Sequence, residues 1–345
     1  MNVKVLRSAI CFALLPTLVL AQGFAGLGQT TDGFDLPDPE TRFRFPVDHG
    51  PHNTFRIEWW YVTANLESAD GTAYGIQWTL FRNALAPGGA EGDQAWMAHA
   101  AVSTPAGHLY AERFARGASG QAGVTAAPFD AFIDEWQMVG PTLNDLRLTA
   151  QGTGFHYDLK LDADGPFVLQ GQSGFSVKSE AGQASHYYSQ PHYEVTGTIT
   201  LEDGAIDVTG RAWLDREWSS QPLTETQTGW DWVSLHFDNG EKLMGYRLRD
   251  QDGSAYTVGT WIEEDGSGVP LQPGQMSMTA AAHSEVEGRQ VPTAWDIELP
   301  DYGVTITSTA LYPQSWMGTL VPYGEGPVEV TGSHPGIGYL EMSGY

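Results

Sequence analysis

Residues 60–81 read WYVTANLESADGTAYGIQWTLF, and this stretch decides the fold. Two runs rich in aromatic and β-branched residues flank the segment Ser68-Ala69-Asp70-Gly71. Runs of this kind on either side of an Asp-Gly turn are typical of two antiparallel strands joined by a tight connection. The stretch therefore predicts a β-hairpin.

Short runs of the same character recur along the whole chain, for example at residues 195–201 and 302–308. Glycine accounts for 41 of the 345 residues, but it is spread evenly and shows no collagen-like period. The best candidate for a helix is a short one over residues 129–139. Together these patterns predict an all-β fold.

A faint internal repeat divides the chain into two halves. In each half a Trp opens a strand, a turn dipeptide follows, a Gly begins the return strand and an Arg ends it. The members are Trp60, Asp70-Gly71, Gly75 and Arg82 in the first half, and Trp232, Asn239-Gly240, Gly245 and Arg249 in the second. An Arg over a Trp face would close a barrel end by a cation–π contact. The repeat predicts two up-and-down β-domains with a boundary near residues 219–228, although any two hairpins share these features.

The N-terminus resembles a targeting signal. Lys4 and Arg7 precede an apolar run over residues 9–21, which is too short to span a bilayer and ends at the small residue Ala21. We predict a cleaved signal peptide over residues 1–21, a disordered leader over 22–41, and β-domains over 42–222 and 223–345. An uncleaved anchor is the alternative. The prediction implies a secreted or periplasmic protein whose mature chain has no transmembrane span.

Composition excludes several classes of function. The net charge of −25 repels nucleic acid and anionic membrane surfaces. The single cysteine, Cys11, lies in the predicted signal, so no thiol site is expected. No phosphate loop, dinucleotide fingerprint or Gly-x-Ser-x-Gly elbow occurs, and we expect no cofactor. The ten histidines lack a metal-binding spacing, so no metal site is predicted, although ligands from separate strands could still form a zinc site.

The segment from Gly210 to Trp232 is the strongest candidate for a site because tryptophans and acids are concentrated there. Strand alternation places Trp213, Asp215 and Glu217 on one face. A carboxylic acid among apolar groups has a raised pKa and can donate a proton at neutral pH. We therefore predict Asp215 as a proton donor. The structural alternative is that Asp215 or Glu217 pairs with Arg211 or Arg216 and ties the two domains together.

Further residues complete this hypothetical site. Glu217 or His99 would hold a water molecule, and Glu58 would face the same cavity as a second acid beside Trp59. The alternative for Glu58 is a structural ion pair with Arg82. Three more aromatic residues are predicted to line a cleft between the domains: Trp213, Trp230 and Tyr188. Trp60 and Trp232 are expected in the barrel cores.

Six sequence blocks occur in the order found in one protein family. They are DHGPH at 48–52 with EWWYVT at 58–63, MAHAA at 97–101, YYSQP at 187–191, GRAWLDREW at 210–218, GWDW at 229–232 and GIGYLEMSGY at 336–345. From about residue 43 onward the chain resembles the AttH-like proteins, which include the carotenoid 1,2-hydratases (hydroxyneurosporene synthases). One departure is His192, where the family pattern leads us to expect an Arg.

The resemblance implies two lipocalin-like antiparallel β-barrel domains packed together, in a secreted or periplasmic protein often associated with an exporter-type ABC permease. Characterised members add water to a terminal carbon–carbon double bond of an acyclic carotenoid, and related fungal proteins act in polyene cyclisation. Two hypotheses follow. The first is a hydratase-type lyase that binds a long apolar or polyene ligand, and the second is a non-catalytic lipophile carrier of an ABC exporter. Neighbouring carotenoid genes would favour the first, and a permease–ATPase pair the second.

Overall fold

The computed structural model describes Leu27 and residues 31–345, and it confirms the all-β prediction. Among these residues the chain forms two antiparallel sheets and three short 3-10 helices, and no α-helix is present. The 3-10 helices are Val47–His49, Glu91–Asp93 and Pro300–Tyr302. No helical segment of the described chain has the length and apolar character needed to cross a membrane.

The first sheet is built from thirteen strands. They are β1 (Ile57–Ser68), β2 (Ala73–Ala84), β3 (Gln94–Thr104), β4 (Gly107–Arg116), β5 (Ala122–Ala126), β6 (Phe129–Ile133), β7 (Trp136–Thr142), β8 (Asp145–Gly152), β9 (Phe155–Ala163), β10 (Val168–Leu169), β11 (Phe175–Val177), β12 (Ala184–Leu201) and β13 (Gly204–Ser219). Its main path runs β4-β3-β2-β1-β13-β12-β9-β8-β7-β6-β5, with β10 and β11 paired to β12. Because β4 at one end contacts β6 and β8, the sheet is nearly closed into a barrel.

The second sheet contains ten strands. They are β14 (Gln227–Phe237), β15 (Lys242–Asp250), β16 (Ala255–Ile262), β17 (Gly268–Leu271), β18 (Ser277–Val286), β19 (Arg289–Leu299), β20 (Val304–Ala310), β21 (Trp316–Met317), β22 (Tyr323–Gly332) and β23 (Gly336–Ser343). Its main path is β17-β16-β15-β14-β23-β22-β20-β19-β18. Each sheet has its own buried apolar cluster. The predicted fold class of two lipocalin-like antiparallel barrels is confirmed.

Both hairpins of the internal repeat form as predicted. Strands β1 and β2 pair around a turn in which Gly71 adopts a φ of 84°, and β14 and β15 pair around Gly240 with a φ of 91°. Positive φ is readily adopted only by glycine, which explains the Asp-Gly and Asn-Gly signals. The helix predicted over residues 129–139 is wrong. The segment forms the β6–β7 hairpin, in which Phe129, Ala131 and Ile133 are buried with the period of two that belongs to a strand.

An ionic cluster closes one end of the first barrel. Glu58 accepts hydrogen bonds from Arg82 and Arg216, and all three side chains are fully buried. The Arg216 guanidinium lies 3.9 Å from the centre of the Trp60 ring. The predicted cation–π contact is therefore present in this barrel, but Arg216 makes it and Arg82 does not. In the second half Arg249 stacks on Tyr345, at 4.0 Å, instead of on a Trp.

The outer face of the first barrel packs against the second sheet. Asn65 donates a hydrogen bond to the Gly338 carbonyl oxygen at 2.7 Å, and the His236 ring contacts the Pro191 carbonyl oxygen at 2.9 Å. Between the sheets lies a separate cluster of buried side chains that includes Tyr61, Trp213 and Trp232. This aromatic layer positions the site described below.

The described N-terminal residues make defined contacts. Within residues 31–41, which we assigned to a disordered leader, the Asp35 carbonyl oxygen accepts a hydrogen bond from Ser220, and the Asp38 backbone N–H donates to His186. The predicted signal peptide lies outside the described residues. The chain passes from the first sheet to the second between Ser219 and Gln227, while the domain limits drawn from the sequence stay predictions.

Candidate functional site

A cavity of about 330 Å³ lies between the two sheets. Strand alternation explains why it forms outside the barrel core: along β1, Trp60 and Val62 point into the barrel, whereas Trp59 and Tyr61 point outward. The wall formed by the first sheet comes from β1, β2, β3, β12 and β13, and the opposite wall from β14, β15, β22 and β23. The apolar and aromatic lining residues are Leu27, Ile57, Trp59, Tyr61, Phe81, Met97, Tyr187, Pro222, Leu223, Trp230, Trp232, Tyr246, Leu248, Leu320, Val321 and Tyr323.

Asp215 projects into this apolar cavity from β13. Its Oδ1 atom accepts hydrogen bonds from Ser189 at 2.5 Å and Trp213 at 2.7 Å, and its Oδ2 atom lies 2.6 Å from the Tyr187 hydroxyl. Burial raises the pKa of Asp215 to about 7, although the three hydrogen bonds lower it. Because Oδ1 already accepts two donors, Oδ2 is the oxygen that carries the proton in the acid form.

Glu217 lies two residues further along the same face of β13. Its Oε1 atom pairs with the Lys178 ammonium at 2.9 Å and accepts a hydrogen bond from Ser185. Burial lowers the pKa of Lys178, but the charge and hydrogen bond of Glu217, together with Tyr246 and Asp215, outweigh this effect and raise it above the ordinary value. Glu217 therefore lies in a buried ion pair close to Asp215, and its Oε2 atom, which neither Lys178 nor Ser185 contacts, is the oxygen left to hold a water molecule.

A second pair of acids occupies the opposite wall. Glu325 of β22 and Glu341 of β23 are directly opposed in the strand register. Glu341 lines the cavity and accepts a hydrogen bond from Trp230 at 2.6 Å. Burial raises its pKa to about 7, and burial together with the charge of Glu341 raises the pKa of Glu325 well above its ordinary value. Among the described residues neither acid forms an ion pair with a cation.

His99 lines the third side of the cavity, as predicted, but both of its ring nitrogens have partners. Nδ1 lies 2.8 Å from the Tyr323 hydroxyl, and Nε2 lies 3.1 Å from Glu112 Oε1. The ring is buried, with 1% of its surface exposed. His99 can therefore contact a ligand only with its ring face or through Tyr323.

Two predicted site residues do not face the cavity. Glu58 was expected to be a second acid of the site, but it shares the inward face of β1 with Trp60 and serves the barrel-end ion cluster. Tyr188 was expected to line the cleft, but it points into the barrel and lies 2.7 Å from His49 Nδ1. In both cases the error is one residue along a strand, which exchanges the two faces of a sheet.

The other predicted residues gather at the cavity. Trp59, Trp230, Asp215 and Glu217 line it, and Trp213 lies directly behind Asp215 as its hydrogen-bond donor. The structural alternative, in which Asp215 or Glu217 pairs with Arg211 or Arg216, is wrong. Arg216 binds Glu58, Arg211 pairs with Glu194 at 3.9 Å, and the cation paired with Glu217 is Lys178. Sequence reasoning missed six lining residues to which we assign a chemical role: Tyr61, Lys178, Tyr187, Trp232, Tyr323 and Glu341. Glu341 carried a signal, since an acid between Leu340 and Met342 is unusual in a buried strand.

Acids with raised pKa values make the stability of the protein depend on pH. Between about pH 4, where these carboxyls titrate in an unfolded chain, and about pH 7, the folded state binds more protons than the unfolded state. Each group therefore lowers the free energy of unfolding as the pH rises through that window. We expect Asp215→Asn and Glu341→Gln to gain stability relative to the wild type over this range in urea unfolding.

The exposed acid Asp207, on the same strand as Asp215, provides the control. The difference in unfolding free energy between Asp207→Asn and the wild type should show little change over the window. A difference between Asp215→Asn and the wild type that is equally flat would mean that Asp215 titrates like an ordinary carboxyl.

Among the described residues no group of three or more His, Asp or Glu side chains is arranged to hold a metal ion. The ionisable groups that reach the cavity are carboxyls, phenols, one ammonium and one imidazole, and Thr79, Asn83 and Ser343 add neutral polar groups. Combined with three tryptophan faces, they equip the cavity to transfer protons to and from an apolar molecule.

Comparison with known proteins places this chain in a family. The AttH-like family profile matches residues 36–345. An AttH protein of Nitrosomonas europaea has a similar crystal structure, with a TM-score of 0.83 and 34% sequence identity over 90% of this chain and 99% of the other. Kievitone hydratase from Nectria haematococca shares the fold at a TM-score of 0.68, with 14% identity over 90% and 98% of the two chains. No curated protein matches the sequence. The chain belongs to the AttH-like family.

Proposed function

We propose that this protein adds water to a carbon–carbon double bond of an apolar small molecule, with Asp215 as the proton donor. One observation carries the proposal: an acid with a pKa raised to about 7 faces an apolar, aromatic cavity. About half of such carboxyls carry a proton at neutral pH, and that proton can be transferred to a weakly basic carbon. The shared fold with a protein named as a hydratase supports the same reaction class.

The arrangement of groups matches the steps of an acid-catalysed hydration. The proton on Asp215 Oδ2 forms the new carbon–hydrogen bond, and the double-bond electrons leave a carbocation at the neighbouring carbon. The ring faces of Trp59, Trp230 and Trp232 can stabilise that positive charge. A water molecule held by Glu217 then forms the carbon–oxygen bond and gives up one proton, which restores the acid form of Asp215, so that one water is consumed for each double bond.

The size of the cavity limits what it can enclose. Its volume of about 330 Å³ lies near the lower end of the range of about 300–1,000 Å³ for small-molecule pockets. A long polyene could place only one end there, so the reactive double bond must lie at or near a terminus. We therefore propose a ligand with a terminal branched alkene, whether or not the rest of it is long.

A non-catalytic carrier would bind its ligand in the same cavity. It would gain nothing from the buried acids Glu325 and Glu341, which form no ion pair among the described residues, because burying such groups lowers the stability of the folded protein. Secretion after cleavage behind Ala21, and association with an ABC exporter, are proposals that derive from the sequence alone. They are compatible with either function.

Hydration can be tested directly in water enriched with oxygen-18. Purified protein would be incubated with the short alkene geraniol and, separately, with the acyclic carotenoid lycopene. We expect products heavier by one water that carry the heavy oxygen, detected by mass spectrometry. Binding of both probes without any labelled product would contradict the proposal and favour the carrier.

A further inference from the structure

An open groove on the outside of the molecule is lined in part by Glu112, which a hydrogen bond joins to His99 in the wall of the cavity. The groove has a volume of about 530 Å³, and its lining includes Tyr110, Glu112, Arg113 and Thr319. The Glu112 side chain is 22% exposed there, and its Oε1 atom also accepts a hydrogen bond from the Leu320 backbone N–H at 3.0 Å. This second bond fixes the carboxylate against the wall that separates the groove from the cavity.

A continuous hydrogen-bonded chain crosses this wall. Glu112 Oε1 lies 3.1 Å from His99 Nε2, and His99 Nδ1 lies 2.8 Å from the Tyr323 hydroxyl. An imidazole can accept a proton at one nitrogen and release one from the other. A phenol can donate and accept at the same oxygen. Every member of the chain can therefore pass a proton to its neighbour without leaving its place.

The inner end of the chain meets the carboxyl pair of the second sheet. The Tyr61 hydroxyl donates a hydrogen bond to Glu325, which faces Glu341 across the β22–β23 register, and the Tyr323 hydroxyl lies beside the same carboxyl. The Gln77 amide donates to the Tyr323 hydroxyl at 3.3 Å, and Tyr339, packed nearby, is a neutral phenol. Two like-charged carboxyls without a cation cannot easily ionise together, so the pair retains at least one proton at neutral pH.

We propose that Glu112, His99 and Tyr323 form a proton path between the outer groove and the Glu325–Glu341 pair. The path lets the pair exchange protons with solvent while a ligand fills the cavity. The existence of the path does not depend on the proposed function; only its use during catalytic turnover does. Hydration takes one proton from Asp215 and releases one from the water, so no net proton has to cross the wall. During turnover the path would keep the protonation of the pair in equilibrium with solvent while the cavity is filled.

The experiment follows deuterium exchange of the buried carboxyl groups by infrared spectroscopy after transfer to heavy water. Protonated carboxyls give a distinct C=O band, and Glu325→Gln and Glu341→Gln assign it to the pair. We expect His99→Gln and Glu112→Gln each to slow exchange of that band by at least about tenfold, since each removes one relay group. Thr153→Ala, which changes the same groove outside the chain, should leave the rate unchanged.

The direction of the effect separates a proton path from a structural role. A variant that merely loosens the wall would admit water and speed up exchange, whereas loss of a relay slows it down. If His99→Gln does not fold, Glu112→Gln and Tyr323→Phe test the same chain from its two ends. Exchange that is unchanged or faster in these variants would overturn the proposal. Because no ligand is used, failure of the hydration assay would leave this result standing.

Discussion

Replacing Asp215 by asparagine is expected to lower kcat for hydration by about 10²–10⁴-fold, which is the usual contribution of a general acid. Asparagine preserves the size of the side chain and can still accept the hydrogen bonds of Ser189 and Trp213 at its carbonyl oxygen. It has no acidic proton to give to carbon. We therefore expect ligand affinity, measured by calorimetry, to change little while turnover is almost lost.

Asp207→Asn is the matched control for this variant, because it makes the same chemical change at an exposed position of the same strand. It should retain the kcat of the wild type. If Asp215→Asn also retained its activity, Asp215 would not be the proton donor, and Glu341 on the opposite wall would be the next acid to test. Parallel loss of binding and turnover would instead indicate that Asp215 only shapes the cavity.

The largest loss of stability is expected from Glu58→Gln. The carboxylate lies between Arg82 and Arg216, and all three side chains are fully buried at the barrel end. Burial raises the pKa of Glu58, but the two guanidinium groups outweigh this and hold it well below its ordinary range. Removing one partner from a buried ion pair typically costs about 3–5 kcal/mol. We expect a loss of this size in the free energy of unfolding, measured in urea at pH 7.

The exposed pair Arg147–Asp158 offers a comparison with the same type of substitution. Asp158→Asn should cost less than about 1 kcal/mol, because solvent screens the interaction. If Glu58→Gln cost no more than Asp158→Asn, the charged cluster would not be what holds the end of the first barrel together.

The sequence allowed the fold to be predicted better than the site because a hairpin is a local signal. Asp70-Gly71 and Asn239-Gly240 mark their turns within a few residues, and the positive φ of each glycine explains the signal. The shared face of Trp213, Asp215 and Glu217 followed from alternation within one strand. Only local information was needed in both cases.

The site predictions were wrong where the sequence does not show which face of a strand points into the barrel and which points towards the cavity. Tyr187 and Tyr188 are adjacent tyrosines, and only the register with Glu217 shows that Tyr187 is the one at the cavity. On the opposite wall Trp230 was predicted, but Glu341 was missed because it approaches Asp215 only once the second sheet packs on the first. Its apolar neighbours in the sequence indicate burial, but they do not show which residues of the first sheet it faces.

The most direct test of the account is the titration of the Asp215 carboxyl itself. Carbon-13 NMR of protein labelled at the aspartate side-chain carboxyls would be recorded across the pH range, and Asp215→Asn would assign the resonance by its disappearance. We expect a midpoint near pH 7, because the acid is buried in a largely apolar cavity and forms no ion pair of its own among the described residues. A midpoint near 3.9, the ordinary value for aspartate, would mean that Asp215 is ionised at neutral pH and cannot be the proton donor.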